Sequence, residues 1–362
     1  MAWPRFLTDL TNMTDRRAPA FRASLAAAAL LIAQAGQCAT ALEIVVPAYF
    51  YPSAGSPWGP MTAAADKVPI TAIMNPGNGP GNGVDANYVA AVNAFRAAGG
   101  RVIGYVYSSY GSRPLAQVTA DIDKYKTWYG IDGIFVDEMS NTGPAEKLNY
   151  YRNIYNHVKG LDAAWEVMGN PGTTTIEQYA TWPTADRFMV FENVGSAYAG
   201  HAPSAWNANY DSEKFVNLIH TESSVENMID FLDLAVKRNV GGIYVTNDVM
   251  NNPWDTLPAY WQQHVDAVAA INAELSAGDF NGDGIVNLAD LNDPVLGWKA
   301  RFGVDLDGDD FLEWQRRYAG EPANASAVPE PATIVIVAAA VGSSLVGSRR
   351  RFQVIGQQAN AI

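Results

Sequence analysis

The stretch DGIFVDEM covers residues 132–139. Gly133-Ile134-Phe135-Val136 is a short apolar run of the kind that forms a buried strand. Two acids, Asp137 and Glu138, follow it at once. Charge is costly where apolar residues cluster, so at this point the chain either meets solvent or does chemistry.

Seven other runs of the same character lie on either side: EIVVPAYFY (43–51), ITAIMN (70–75), RVIGYVYSS (101–109), WEVMGN (165–170), RFMVFEN (187–193), KFVNLIHT (214–221) and GGIYVTND (241–248). Each is rich in β-branched or aromatic residues, and most end in polar ones. Helical patterns fall between them. Tyr88, Val92, Phe95 and Ala98 recur at helical spacing before Gly99-Gly100, and Leu148, Tyr151, Ile154, Tyr155 and Val158 do so before Gly160. HVDAVAAINAEL (264–275) closes the series. Eight strand–helix units predict an α/β fold, a (β/α)8 TIM barrel over 42–275. A doubly wound open sheet is the competing architecture. It calls for a phosphate loop after the first strand, where this chain has YPSAGSPWG (51–59). NPGNGPGNG (75–83) lacks the lysine of a P-loop and the dinucleotide-binding spacing, so it reads as a shaped rim loop.

A small helical module is expected over 276–320. DFNGDGIVNLAD (279–290) sets oxygen donors at loop positions 1, 3, 5, 9 and 12, namely Asp279, Asn281, Asp283, Asn287 and Asp290. Gly284 takes the sharp turn, and Ile285 offers its carbonyl. The pattern implies structural Ca2+ and resembles the loop of a type I dockerin. The second half, DLDGDDFLEWQRRYAG (305–320), lacks the full ligand spacing. Such a module implies either a cohesin-like partner or packing on its own barrel.

Both termini read as processing segments. In 1–41, Arg16, Arg17 and Arg22 precede the apolar run 23–36, and Ala39-Thr40-Ala41 offers a signal-peptidase site. The single cysteine, Cys38, would leave with that signal. After a linker (321–328), segment 329–351 joins Pro-Glu-Pro, an apolar stretch and Arg349–Arg351. That order resembles a PEP-CTERM sorting tail. It implies an exosortase-like enzyme, a transient or permanent membrane anchor and a cytoplasmic tail at 352–362. The expected location is outside the cytoplasm: periplasm, cell surface or matrix. A net charge of −13 argues against a nucleic-acid partner.

Function in such a barrel belongs at the carboxyl ends of the strands. There the sequence offers Tyr49 and Tyr51, Asn75, Tyr107, Asp137 and Glu138, Asn170, Glu192, His220, and Asn247 with Asp248. No Ser/His/Asp order or zinc-type histidine cluster is present. Carboxylates with amides and aromatics are the equipment of glycoside hydrolysis: one acid protonates the leaving oxygen, and a second carboxylate attacks carbon or activates water. The plainer readings are a helix cap for Asp137, ion pairs for Glu138 and Glu192, a structural His220 and packing tyrosines. Adjacent strand residues face opposite ways, so Asp137 and Glu138 aim together only if the strand has already ended.

VPAYFYP (46–52), NPGNGPG (75–81), RAAGGRVIGYVYSSYG (96–111), WYGIDGIFVDEM (128–139), GNPG (169–172) and FEN (191–193) resemble, in order, spherulation-specific family 4, the spherulin-4 family. The resemblance implies a glycoside hydrolase acting on galactosamine-containing exopolysaccharide, a barrel shared with polygalactosaminidases, and catalytic candidates at Asp137, Glu138 and Glu192. We read Asp137 as nucleophile or stabilising carboxylate and Glu192 as general acid/base. Glu138 is read as holding a sugar hydroxyl or tuning Asp137. A non-catalytic carbohydrate-binding or matrix protein with the same groove is the alternative.

Overall fold

The computed structural model describes residues 41–318. The expected export signal with Cys38, the linker, the sorting segment and the C-terminal tail lie outside the described residues. Eight parallel strands close into a barrel in sequential order: β1 (Glu43–Ala48), β2 (Ile70–Met74), β3 (Arg101–Tyr107), β4 (Gly133–Asp137), β5 (Glu166–Gly169), β6 (Arg187–Val194), β7 (Phe215–His220) and β8 (Gly242–Val245). β1 pairs with β8 through Glu43–Gly242 and Ile44–Ile243, which completes the ring. The strands are almost wholly buried, as their continuous apolar runs require when helices cover the outside.

Helices follow the strands: Trp58–Thr62, Ala86–Ala97, Leu115–Trp128, Ala145–Leu161, Gln178–Thr181, Gly195–Tyr198, Val225–Lys237 and Trp261–Leu275. Asp85 caps the second by accepting from the Asn87 and Tyr88 amides, and that helix buries Tyr88, Val92 and Phe95 against the barrel. The coverings after β5 and β6 are single turns. At the start of β4, a Cβ on Gly133 would stand 2.3 Å from the Glu166 carbonyl, so only glycine lets the two strands approach.

Seven of the eight strands end earlier than the sequence runs suggest, and β6 runs one residue further, to Val194. β1 stops at Ala48 because the Tyr49 amide turns to the carbonyls of Pro47 (3.0 Å) and Trp254 (3.2 Å). β8 stops at Val245, and the Asp248 amide turns to Thr246 Oγ1 at 3.1 Å.

At the amino-terminal end the barrel is closed by charge. Arg187 pairs with Glu43 at 2.5 Å, its Nη1 lies 3.7 Å from Glu166, and its Nε donates to the Glu213 carbonyl at 2.8 Å. Arg101 reaches Glu166 at 3.0 Å, and Thr71 donates to Glu43. Beyond the barrel lie short helices at Ala289–Asn292, Trp298–Arg301 and Gly308–Arg317. Among the described residues no helix is long and apolar enough to cross a membrane.

Candidate active site

Asp137 is the last residue of β4, in register with Tyr107 of β3. Asn170 follows β5 directly and is buried. Glu192 lies in β6 just past a bulge, where the pairing slips between Met189 and Phe191. Strand side chains alternate faces, so the extra residue changes which side Glu192 takes. It emerges beside Asn170. The Asn170 amide nitrogen donates one hydrogen to Asp137 Oδ1 at 2.8 Å and the other to Glu192 Oε2 at 2.7 Å. Those two oxygens therefore stand no more than 5.5 Å apart.

Both acids are held by neutral donors. Tyr105 donates to Asp137 Oδ2 at 2.8 Å, and the Glu138 amide stands near Asp137 and favours its charged form. The Trp254 indole stands near Glu192 and favours its charged form. Among the described residues no cation is among the groups that shift either acid most. Burial pushes the Asp137 carboxyl above its ordinary range, against the pull of Tyr105, Glu138 N–H and Asn170. Burial also raises Glu192, and the charge of Asp137 adds to the rise. The Tyr49 phenol is raised by burial and by the charges of Asp137 and Glu192, so it remains a proton donor. Its ring meets Tyr105 edge-on at 5.6 Å.

Glu138 stands apart from this constellation. The strand has ended, and Glu138 takes a left-handed φ of 51°. Its Oε2 accepts from the Ser109 amide at 3.1 Å. Its carbonyl accepts from Ser108 Oγ and from the Tyr110 amide, both at 2.8 Å. Glu138 thus braces the loop after β3.

The remaining sequence candidates divide into two groups. His220 ends β7, is buried, shares a hydrogen bond with Thr221 through Nδ1 (2.8 Å) and meets the Trp254 ring edge-on at 5.8 Å. Tyr107 lies under the Arg113 guanidinium at 4.0 Å. Tyr51 donates to Asp85 at 3.1 Å and accepts from Asn87 at 2.7 Å on the rim. Asn75, Asn247 and Asp248 instead shape loops: they accept from the amides of Gly79 (2.9 Å), Ala259 (2.7 Å) and Val249 (2.8 Å).

Sequence reasoning missed Tyr105 and Trp254. Tyr105 was findable, because it stands two residues before Tyr107 on the same strand and so on the same face. Trp254 sits in NNPWD (251–255), and only the return of that loop after β8 brings its indole to Glu192.

Residues 43–268 match the family model described as Spherulation-specific family 4. The chain belongs to spherulation-specific family 4. Spherulin-4 of Physarum polycephalum is 34% identical over 248 residues, which cover 64% of this chain and 71% of that protein. The crystal structure of Aspergillus clavatus Sph3 in complex with GalNAc is similar with a TM-score of 0.57 at 24% identity. That similarity covers 65% of this chain and 100% of Sph3, and it shows the shared barrel fold. The matched family segment holds Asp137, Asn170, Glu192 and Trp254, and it ends before the loop at 279–290.

That loop is a second candidate site. Asp279 accepts from the amides of Gly282 (2.8 Å), Asp283 (3.1 Å) and Gly284 (2.7 Å), and Asp290 accepts from Asn287 (2.7 Å) and Asn281 (3.2 Å). Gly284 has the positive φ, 82°, that the turn requires. Among the described residues no three His, Cys, Asp or Glu side chains gather as a metal-holding group. The donor set is accordingly mixed: carboxylates, amides and a carbonyl. Asp290 is buried, among the described residues no cation pairs with it, and burial raises its carboxyl. A buried carboxylate lacking a counter-charge fits a bound cation.

Proposed function

We propose that this protein is a glycoside hydrolase that cleaves an amino-sugar polysaccharide of galactosamine type within the chain. The observation that carries this reading is the Asn170 amide bonded to both carboxylates, with at most 5.5 Å between the bonded oxygens. Retaining glycosidases hold their carboxyl groups about 5–5.5 Å apart, and inverting ones about 6.5–9.5 Å. The short spacing supports double displacement with retention.

Asp137 accepts from two neutral side chains, Tyr105 and Asn170, and is the group better able to carry charge, which suits a nucleophile. Burial, and then the charge of Asp137, raise the Glu192 carboxyl, the direction that suits a general acid. In the first step Glu192 gives its proton to the glycosidic oxygen. The bond from that oxygen to the anomeric carbon breaks as an Asp137 oxygen attacks the carbon. In the second step Glu192, now ionised, takes a proton from water. The water oxygen displaces Asp137 and leaves a hemiacetal. The charge of Asp137 and the net charge of −13 favour a sugar with a free, protonated amine. Sph3 binds GalNAc, an amino sugar of the galactosamine type that is N-acetylated and uncharged, so the likeness extends to the amino-sugar class and not to a free amine.

The same reading takes the enzyme out of the cytoplasm by its signal segment and holds it near the membrane by the sorting tail. Calcium would be held by Asp279, Asn281, Asp283, the Ile285 carbonyl, Asn287 and Asp290. It would order that loop for a cohesin-like or internal partner and take no part in hydrolysis.

The test is release of reducing ends from partially de-N-acetylated galactosaminan by wild type, Glu192→Gln and Asp137→Asn. The expected result is turnover by wild type and a loss of roughly a thousandfold in each variant. Equal activity in all three would remove the assignment.

A further inference from the structure

The large apolar side chains left exposed at the barrel mouth all lie on one side of it. They are Val249 and Met250 after β8, Tyr51 after β1, Val84 after β2 and Tyr110 after β3. β8, β1, β2 and β3 are consecutive neighbours in the ring. Elsewhere on the barrel the exposed large apolar residues are Trp182, after the turn Gln178–Thr181, and Ile229, on helix Val225–Lys237. The loops directly after β4 to β7 expose none among the described residues. The acids come from β4 and β6. The mouth is therefore two-sided, with catalytic candidates on one side and an apolar arc on the other.

Tyr110 is the best-defined member of the arc. It is 61% exposed, and its ring stacks on no other among the described residues. Packing does not hold it there. Ser109, Tyr110 and Gly111 have φ of 48°, 55° and 74°, three left-handed residues in succession. For Ser and Tyr that conformation is uncommon and costs energy. It is held by the Tyr110 amide bonded to the Glu138 carbonyl, the Ser109 amide bonded to Glu138 Oε2, and Lys147 on the Tyr110 carbonyl. Glu138, the neighbour of Asp137, thus fixes an outward aromatic ring beside the acids. Tyr51, 49% exposed, is held on the rim by Asp85 and Asn87, with its ring edge against Tyr88 at 5.6 Å.

We propose that Tyr110 and Tyr51 are stacking platforms for further sugar residues of the polymer, which crosses the mouth from the acids toward β1 and β3. Glu138 is then a positioning residue that acts through Tyr110. This rests on the glycosidase reading and adds to it the direction in which the polymer lies. Apolar faces of pyranose rings suit exposed tyrosines, and the arc is continuous with the acids. A polymer so laid has several sugars held on one side of the cleaved bond.

The test measures calorimetric binding of long galactosaminan and of a short fragment to the full chain carrying Asp137→Asn, so that nothing is consumed. Tyr110→Ala and Tyr51→Ala are each expected to weaken binding of the long polymer roughly fivefold or more, and the short fragment less. Tyr110→Phe should retain binding, because stacking uses the ring. Glu138→Gln should weaken long-polymer binding in the same sense, and Ile229→Ala, away from the mouth, should leave it unchanged. Unchanged long-polymer binding in both alanine variants would overturn the proposal while leaving hydrolysis by Asp137 and Glu192 standing. So would light scattering showing that the arc instead holds a second copy of this chain, with a dimer lost in Tyr110→Ala. Binding without wild-type turnover would overturn the hydrolase reading alone. No binding of galactosaminan at all would overturn both.

Discussion

At the amino-terminal end of the barrel, Glu43 meets Arg187 and Thr71, and Glu166 meets Arg101 and Arg187. At the carboxyl end, Asp137 and Glu192 meet only an amide, a phenol, an indole and a backbone N–H. Glu43, Asp137 and Glu192 are all largely buried, yet the outcomes oppose. Burial alone would raise Glu43, but the charge of Arg187 and the hydrogen bonds of Thr71 and Arg187 outweigh it and hold Glu43 below the ordinary range. Asp137 and Glu192 have no such counter-charge and are raised. Acids matched to cations close the bottom of the barrel. Acids left without cations, two to one amide, are poised to hold and pass a proton.

The pH behaviour of the two ends has opposite sign. The lowered pKa of Glu43 contributes stability above its unfolded value, 4.5, and that contribution is lost as pH falls through the lowered value. The raised pKa values of Asp137 and Glu192 stabilise the fold at pH below their unfolded values, and that contribution is lost as pH rises through the raised ones.

The strongest way to break the comparison is to exchange the roles of the two ends. Glu192→Gln should cut turnover roughly 10³-fold, about 4 kcal/mol in barrier, while leaving denaturant stability equal or higher. A drop in stability of more than about 1 kcal/mol would make Glu192 a structural acid like Glu43. Arg187→Met should do the reverse. Leaving Glu43 and Glu166 buried without their cation should cost about 3–5 kcal/mol in urea unfolding. A loss under about 1 kcal/mol would mean that the lower network contributes little.

A third test concerns His264, fully buried on helix Trp261–Leu275 between Tyr244 and Trp261, with neither ring nitrogen bonded among the described residues. Burial lowers its pKa from 6.5 to about 3. The folded state keeps it neutral, so its stabilising contribution is present above 6.5 and lost as pH falls toward 3. The full effect is on the order of 5 kcal/mol. At about pH 4, His264→Phe should therefore keep more of its neutral-pH stability than wild type does. Parallel pH curves would contradict this. The smallest effect concerns calcium. At about a hundred times its dissociation constant it should add roughly 2.7 kcal/mol to the stability of the 276–318 region. The Asp290→Ala variant should lose that gain.

The eight strands were legible because each is buried on both faces and so reads as an unbroken apolar run. Their ends were less legible, since Tyr49 leaves the ladder for a carbonyl contributed by Trp254, far along the chain. The acids of β4 and β6 could be nominated from position, but the bulge that turns Glu192 toward Asn170 leaves no periodic signal in RFMVFEN. The role of Glu138 depended on a left-handed φ at a non-glycine residue, which no residue type announces. Asn75 and Asn247 were named for chemistry and found bonded to the amides of their own loops, because an amide near a strand end serves either purpose.

The most direct test of the paired-carboxylate account is proton NMR of the reducing end first formed from galactosaminan, read before mutarotation. The spacing set by Asn170 predicts that the new end keeps the anomeric configuration of the bond that was cut. An inverted product would contradict it, and so would a wild-type enzyme that releases no reducing end.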